Sequence, residues 1–371
     1  MTTEMKHDIK KVGAQFKVEG KFQSASPYGS GHINDTYAAV YDKGGRNVRY
    51  ILQRINHNIF KNTAGLMDNV KRVTEHQRDF LVRTGAKDLD RRALRLVPSR
   101  NGMHYLKDDE GNTWRVYDFI EGASTYDKIE RIEHAYLAAK AFGEFQKQLV
   151  DMPGGRLVET IPDFHNTPKR FDAFKKAVEA DVKGRAKSCR SEMEFVKRHE
   201  EMTGRLVGLQ AKGIIPERVT HNDTKINNVM LDDKTGEGIC VIDLDTVMPG
   251  LALYDFGDMV RTATNSAAED ENDLSKVFSR IEVFEALVKG YMEASGDFLN
   301  EAEVENLVLG GKMMTFEVGM RFLTDFLSGD VYFKTQRDNH NLDRARNQFK
   351  IVESITEQEA KFDRIVRKYA G

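Results

Sequence analysis

The chain changes its hydrophobic period once, near residue 120, and that change limits the folds open to it. Before it, short segments rich in Tyr, Val and Ile alternate with turn residues at 29–31, 43–45, 101–102 and 108–112, the pattern of a small sheet. Residues 49–55 form a compact apolar strand and 114–120 read as the last strand, with 121–124 as connector. One helix interrupts the sheet over roughly 63–83, where Leu66, Met67, Val70, Val73 and Phe80 fall near a helical repeat. After the connector, Ile129, Ile132, Tyr136, Ala139, Phe142 and Phe145 mark a long amphipathic helix, and helical patterns return at 171–179, 192–209, 274–295 and 348–369. A β-like island at 219–245 lies between them. At roughly 100–200 residues per domain, 371 residues hold two domains or lobes. We expect an α+β chain with a small sheet-rich N-terminal lobe carrying one helix (1–120), a hinge at 118–124, and a larger, mostly helical lobe (121–371).

Charge removes several partner classes. Lys and Arg number 56 against 58 Asp and Glu, a net charge of −2, so no whole-molecule field holds nucleic acid or an anionic membrane. The Lys- and Arg-rich stretch 169–198 is interleaved with acids and reads as a solvated helical face. The acidic run 269–273 reads as a favourable charge cluster at the start of the helix that follows it. No stretch approaches the roughly 18 apolar residues of a membrane span. The first 12 residues carry Lys6, Asp8, Lys10 and Lys11 without an apolar run, unlike a secretory signal. The two cysteines, Cys189 and Cys240, exclude a disulfide framework and a multi-cysteine zinc site, and are expected as buried thiols. The expectation is a soluble cytoplasmic monomer.

The island carries the chemistry. Two apolar strands, at 229–231 and 239–242, flank a turn near Thr235 and Gly236, and a hairpin sets the start of one beside the end of the other. Asn228 precedes the first strand and Asp243 follows the second, an amide oxygen and a carboxylate of the hard kind that suits Mg²⁺. Asp223 lies five residues upstream of Asn228, and His221 completes an HxDxxxxN pattern. That pattern with a downstream Asp is used for phosphoryl transfer: the metal orients a triphosphate, and the loop Asp aligns the attacking hydroxyl and takes its proton. His221 is expected to hold the loop's shape, and Asp245 to sit at the metal's outer shell.

The glycine turn at 29–31 falls between strand candidates near the start of the chain, where Gly29 and Gly31 let backbone amides approach phosphates. A kinase also places a lysine on its third strand, but here Gln53 occupies that place with Arg54 beside it. Either, or neither, contacts the nucleotide. Glu75 on the 63–83 helix is a possible ion-pair partner, and the backbone around Ile120 is expected to bind adenine if the connector is a hinge.

These features, together with residues 27–34, 49–53, 114–117, 164–168, 218–225, 242–246, 248–250, 255–258 and 319–323, resemble the aminoglycoside-phosphotransferase-like small-molecule kinases along nearly the whole chain. More narrowly, the chain is similar to members that phosphorylate N-acetylhexosamines at C1. The resemblance implies a bilobal protein-kinase-like fold, ATP and Mg²⁺ as cofactors, and phosphorylation of the anomeric hydroxyl of N-acetylglucosamine or N-acetylgalactosamine during amino-sugar salvage. By motif it implies Asp223 as base, Asn228 and Asp243 on Mg²⁺, and sugar contacts from His32, Asp223, Arg321 and Tyr332. Arg321 has independent support, because Glu317, Arg321 and Asp325 form a narrow polar stripe on an otherwise apolar helix. Such a stripe lines a wet cavity or forms an ion-pair ladder facing water. Choline, an aminoglycoside or homoserine are alternative acceptors, and a non-catalytic kinase-like binding module is the remaining alternative.

Overall fold

The computed structural model describes residues 5–29, 31 and 33–370. The chain forms two compact units. One comprises Met1–Ser124, Asp151–Pro162 and Met230–Met248, the other Thr125–Val150, Asp163–Val229 and Pro249–Gly371. The first holds the main sheet and the second most of the helices, so the fold is bilobal α+β with a smaller sheet-containing lobe and a larger helical one.

The sheet unit is built on β1 (Lys21–Pro27), β2 (Asp35–Lys43), β3 (Arg46–Ile55), β4 (Leu106–Lys107) and β5 (Thr113–Asp118), in the antiparallel order β1-β2-β3-β5-β4. Gly44 and Gly45, at φ 64° and 85°, make the tight turn between β2 and β3, whose twist requires positive φ at both positions. Alternation then sorts the faces. Tyr37, Leu52 and Val116 stand in register on one face and pack with Ile9, Val12, Phe16 and Trp114. Thr36, Gln53 and Arg115 are the neighbouring registered row and therefore point to the other face.

Helix Thr63–Arg83 has the bounds its periodicity predicts and is capped by Asn62, whose side chain accepts from Gly65 N. Its buried Asn69 donates to the carbonyls of Val158 (2.7 Å) and Val247 (3.0 Å) and accepts from Val158 N (3.0 Å). One amide side chain thus ties two distant segments of sequence, 151–162 and 230–248, into the sheet unit. The island forms the expected hairpin: Val229–Asp232 pairs with Gly238–Val241 and with Ala123–Ser124. Asp232 accepts from Lys234 N and Thr235 N and Gly236 adopts φ 76°, which closes the turn.

In the helical unit, Leu307–Leu327 is buried on nearly all sides, between Ala252–Ala263, Thr167–Ala180 and His340–Tyr369. Close approach to Ala252–Ala263 depends on small residues, since a Cβ on Gly257 would lie 2.3 Å from Gly310 O. Phe316 and Phe326 of Leu307–Leu327 share a core with Phe174 and Phe349. The 274–295 helix expected from the sequence starts only at Ile281. Residues 274–276 form a single 3₁₀ turn, and the acidic run instead turns to other partners, Glu269 to the Arg261 guanidinium and Asp270 to the His340 ring. The 192–209 pattern is likewise divided, into Arg190–Arg198, Glu200–Thr203 and Arg205–Ala211. Helix Glu301–Glu305 opens with a capping box between Asn300 and Glu303. Asn300→Ala is expected to cost about 1 kcal/mol in urea unfolding.

Cys189 and Cys240 are free and buried, and burial pushes their thiols up to about 11 and about 12. Among the described residues no helix is long and apolar enough to cross a membrane.

Candidate active site

The loop bearing Asp223 lies in the helical unit, immediately after strand Arg218–Thr220, and is held by a buried carboxylate. Asp255, on helix Ala252–Ala263, accepts from the backbone N–H of His221 (2.9 Å) and of Asn222 (2.7 Å), and from the Gln146 amide (2.6 Å). Its own carbonyl accepts from the Thr224 hydroxyl (2.5 Å). Asn222 adopts φ 64°, a left-handed conformation that Asn tolerates better than most residues. His221 is fully buried against the edges of Phe142 and Phe145, and its Nδ1 lies 3.3 Å from Asp223 N. The expected shape-holding role of His221 is therefore seen as packing plus a hydrogen bond within the loop. Asp255 was not singled out from the sequence, although it lies in a segment that carried the resemblance.

Asp223 and Asn228 come together. The Asn228 amide nitrogen donates to Asp223 O (2.9 Å) and approaches its Oδ2 (3.3 Å), which directs the amide oxygen of Asn228 the other way. Lys225, unremarked in the sequence, places Nζ 2.9 Å from Asp223 Oδ1. Burial opposes ionisation of Asp223, but Lys225, His221 and Arg261 outweigh it and hold the carboxyl below the usual carboxylate range. Asp223 is thus an ionised acceptor near neutral pH.

Arg321 and Tyr332 also come together. The Arg321 guanidinium lies 5.1 Å from the ring centre of Phe164, 5.9 Å from Tyr332 and 5.7 Å from Phe333. The polar stripe is not an ion-pair ladder. Glu317 is fully buried and accepts from the Thr167 hydroxyl (2.6 Å), with His165 Nδ1 at 2.8 Å. Asp325 accepts from the backbone N–H of Val331, Tyr332 and Phe333, which fixes the loop that carries Tyr332. The other ring nitrogen of His165 lies 3.4 Å from Asn222 O, so Glu317 and His165 link the Arg321 helix to the loop of Asp223. His165 is a second residue whose role sequence reasoning missed, since its partners are remote in sequence.

The remaining candidates belong to the sheet unit. Gly29, at φ 81°, and Gly31 have open space where a Cβ would stand. His32 lies outside the described residues. Gln53 is bonded on both sides, donating to the Thr36 hydroxyl (3.0 Å) and accepting from Arg115 Nε (3.0 Å). Arg54, on the opposite face, pairs with its cross-strand neighbour Asp35 (2.6 Å). Ile120 is buried just beyond β5, and the connector after it is tied by Arg91, which donates to Glu121 O (2.9 Å) and Gly122 O (2.7 Å). Glu75 is half-exposed and pairs with Lys71 one turn earlier (3.7 Å). Asp243 follows the second hairpin strand with φ 60°. Asp245 has both oxygens engaged, one by Arg115 and one by Asn34 Nδ2 (2.6 Å).

The donor chemistry suits Mg²⁺. Among the described residues no three His, Cys, Asp or Glu side chains gather as a metal site. Each unit carries one hard oxygen donor of the kind Mg²⁺ takes, the Asn228 amide oxygen in the helical unit and the Asp243 carboxylate in the sheet unit.

A two-lobed α+β chain with an ionised aspartate on an HxDxxxxN loop fits one class, the phosphotransferases that act on small molecules. The chain belongs to the phosphotransferase enzyme family (APH), whose model matches residues 24–291. It is accordingly an ATP- and Mg²⁺-dependent kinase. Solved structures of the same fold include an aminoglycoside phosphotransferase from Alicyclobacillus acidocaldarius, at 12% identity and TM-score 0.60, with 99% of this chain and 98% of that one covered. A microcompartment-associated aminopropanol kinase matches at 14% identity and TM-score 0.57, covering 96% and 98%. A choline kinase from Cryptosporidium parvum matches at 14% and 0.56, covering 94% and 93%.

Proposed function

We propose that the chain transfers the γ-phosphoryl group of ATP to the anomeric hydroxyl of an N-acetylhexosamine, N-acetylglucosamine or N-acetylgalactosamine, to give the 1-phosphate. The observation that supports a neutral acceptor is the cage around Arg321. Three aromatic rings of the kind that bind a quaternary ammonium already hold the protein's own guanidinium. A cationic acceptor directed there would meet a like charge. A neutral sugar would gain donors for its hydroxyl and N-acetyl oxygens, each of which needs a hydrogen-bond partner once buried.

In this reading Asp223 accepts the proton of the attacking hydroxyl and aligns it for in-line transfer. Lys225 keeps that carboxylate ionised. Asn228 and Asp243 would hold Mg²⁺, whose charge would offset that of the triphosphate. Backbone amides around Gly29 and Gly31 approach the phosphates, Gln53 braces the strand beneath them, and the backbone near Ile120 receives adenine. His32, Arg321 and Tyr332 contact the sugar. The protein acts as a cytoplasmic monomer in amino-sugar salvage, without a nucleic-acid or membrane partner.

The pH dependence follows from the sign of the Asp223 shift. The base must be ionised, and activity falls as pH drops through its pKa. With that pKa held below the usual carboxylate range, the acid limb of kcat/KM due to Asp223 falls at lower pH than an ordinary aspartate would give. A titration of kcat/KM that bends near pH 6 assigns the base to another group.

A second reading, an amine-bearing acceptor, draws support from the family and from neighbours named as aminoglycoside, aminopropanol and choline kinases. ATP consumption measured with N-acetylglucosamine, N-acetylgalactosamine, choline and kanamycin separates the two. Turnover of either sugar above the amines is expected, and turnover of choline or kanamycin alone would sink the sugar assignment.

A further inference from the structure

Kinases place a lysine on the third strand and pair it with a glutamate of the following helix. Here Gln53 takes the lysine's place, and Glu75 of helix Thr63–Arg83 pairs with Lys71 within its own helix. A cation is nevertheless present one strand away. Arg115 on β5 is registered directly against Gln53, and the Thr36–Gln53–Arg115 row points away from the aromatic core. Arg115 is 1% exposed, donates through Nε to Gln53 Oε1 (3.0 Å), and forms an ion pair through Nη1 with Asp245. Asp245 follows the metal candidate Asp243 by two residues, and its second oxygen accepts from Asn34 in the glycine-turn segment (2.6 Å). Asn69, on the helix that elsewhere supplies the glutamate, donates to Val247 O (3.0 Å) in the same segment.

We propose that Arg115 is a positioning residue that replaces the third-strand lysine: it fixes the 243–247 segment, and so the orientation of Asp243 toward Mg²⁺, through the buried Gln53–Arg115–Asp245 row. This rests on the reading of Asp243 as a metal ligand. The conventional lysine pairs with a helix that can move. Arg115 and Asn69 instead bind the 243–247 segment itself.

The test uses the full chain, with Mn²⁺ binding followed by electron paramagnetic resonance in the presence of ADP, alongside thermal melting and steady-state kinetics. Asp243→Asn should abolish nucleotide-dependent Mn²⁺ binding. If it does not, the metal assignment fails and the inference falls with it. Arg115→Met should weaken Mn²⁺ binding about 10- to 100-fold, the range found when a partner of a metal ligand is removed. It should raise the Mg²⁺ concentration for half-maximal rate and leave the acceptor KM unchanged, with Arg115→Lys recovering part of the loss. Removing one member of a buried ion pair threatens folding, whereas replacing both with apolar groups is often tolerated. Arg115→Met/Asp245→Leu is therefore the second variant, expected to melt near the wild-type temperature and still bind Mn²⁺ weakly. Wild-type Mn²⁺ affinity in either folded variant, with Asp243→Asn defective, would overturn the role of Arg115 alone.

Discussion

Asp223→Asn is expected to lower kcat by about 100- to 10,000-fold, the contribution of a positioned general base. The substitution keeps the side chain's shape and removes its ability to take a proton. Stability should change little, because the lost partner is a half-exposed Lys225 ammonium, and ion pairs at such sites contribute about 0–1 kcal/mol. Nucleotide binding should survive, because the proposed metal ligands are Asn228 and Asp243. The combination of intact melting, intact ADP binding and lost turnover is the signature. Wild-type turnover in the purified variant would remove Asp223 from the mechanism.

Asp255→Ala is expected to impair both folding and catalysis. It leaves the buried N–H groups of His221 and Asn222, and the Gln146 amide, without their acceptor. Each buried donor left unmatched costs about 1–3 kcal/mol, so the unfolding midpoint in urea should fall steeply with little change in slope. In the fraction that stays folded, kcat should fall with little change in acceptor KM, because the loop of Asp223 has lost its anchor. Gln146 tests the same network more gently. It donates to Asp255 and accepts from the Tyr291 hydroxyl (2.5 Å), and Gln146→Ala keeps both backbone bonds to Asp255. An Asp255→Ala protein of wild-type stability and rate would mean that the loop holds its own shape.

The period change at residue 120 was enough to read the two-lobed α+β fold, and the bounds of helix Thr63–Arg83 followed from its own residues. Other boundaries depend on partners that periodicity does not register. The acidic run at 269–273 is suited to start a helix, but Glu269 and Asp270 bind Arg261 and His340, and the helix begins at Ile281. The membership of 151–162 and 230–248 in the sheet unit was equally hidden, since it runs through Asn69 and the carbonyls of Val158 and Val247.

The candidate site was legible where chemistry is local. His221, Asp223 and Asn228 sit on one short loop, and their spacing carries the motif. What supports the loop comes from far along the chain: Asp255 beneath it, and Glu317 through His165 at its side. The polar stripe Glu317, Arg321 and Asp325 was visible as a pattern, but its three members have three uses, a buried acceptor, a caged cation and a loop clamp. Arg115 was invisible as a substitute for lysine because strand register decides which residue stands opposite Gln53.

Phosphorus NMR of the product formed from ATP, Mg²⁺ and N-acetylglucosamine or N-acetylgalactosamine tests the central proposal most directly. The account predicts a phosphate coupled to the anomeric proton, formed by the wild-type chain and not by Asp223→Asn. A 6-phosphate, or no sugar phosphate while choline or kanamycin is phosphorylated, would contradict it.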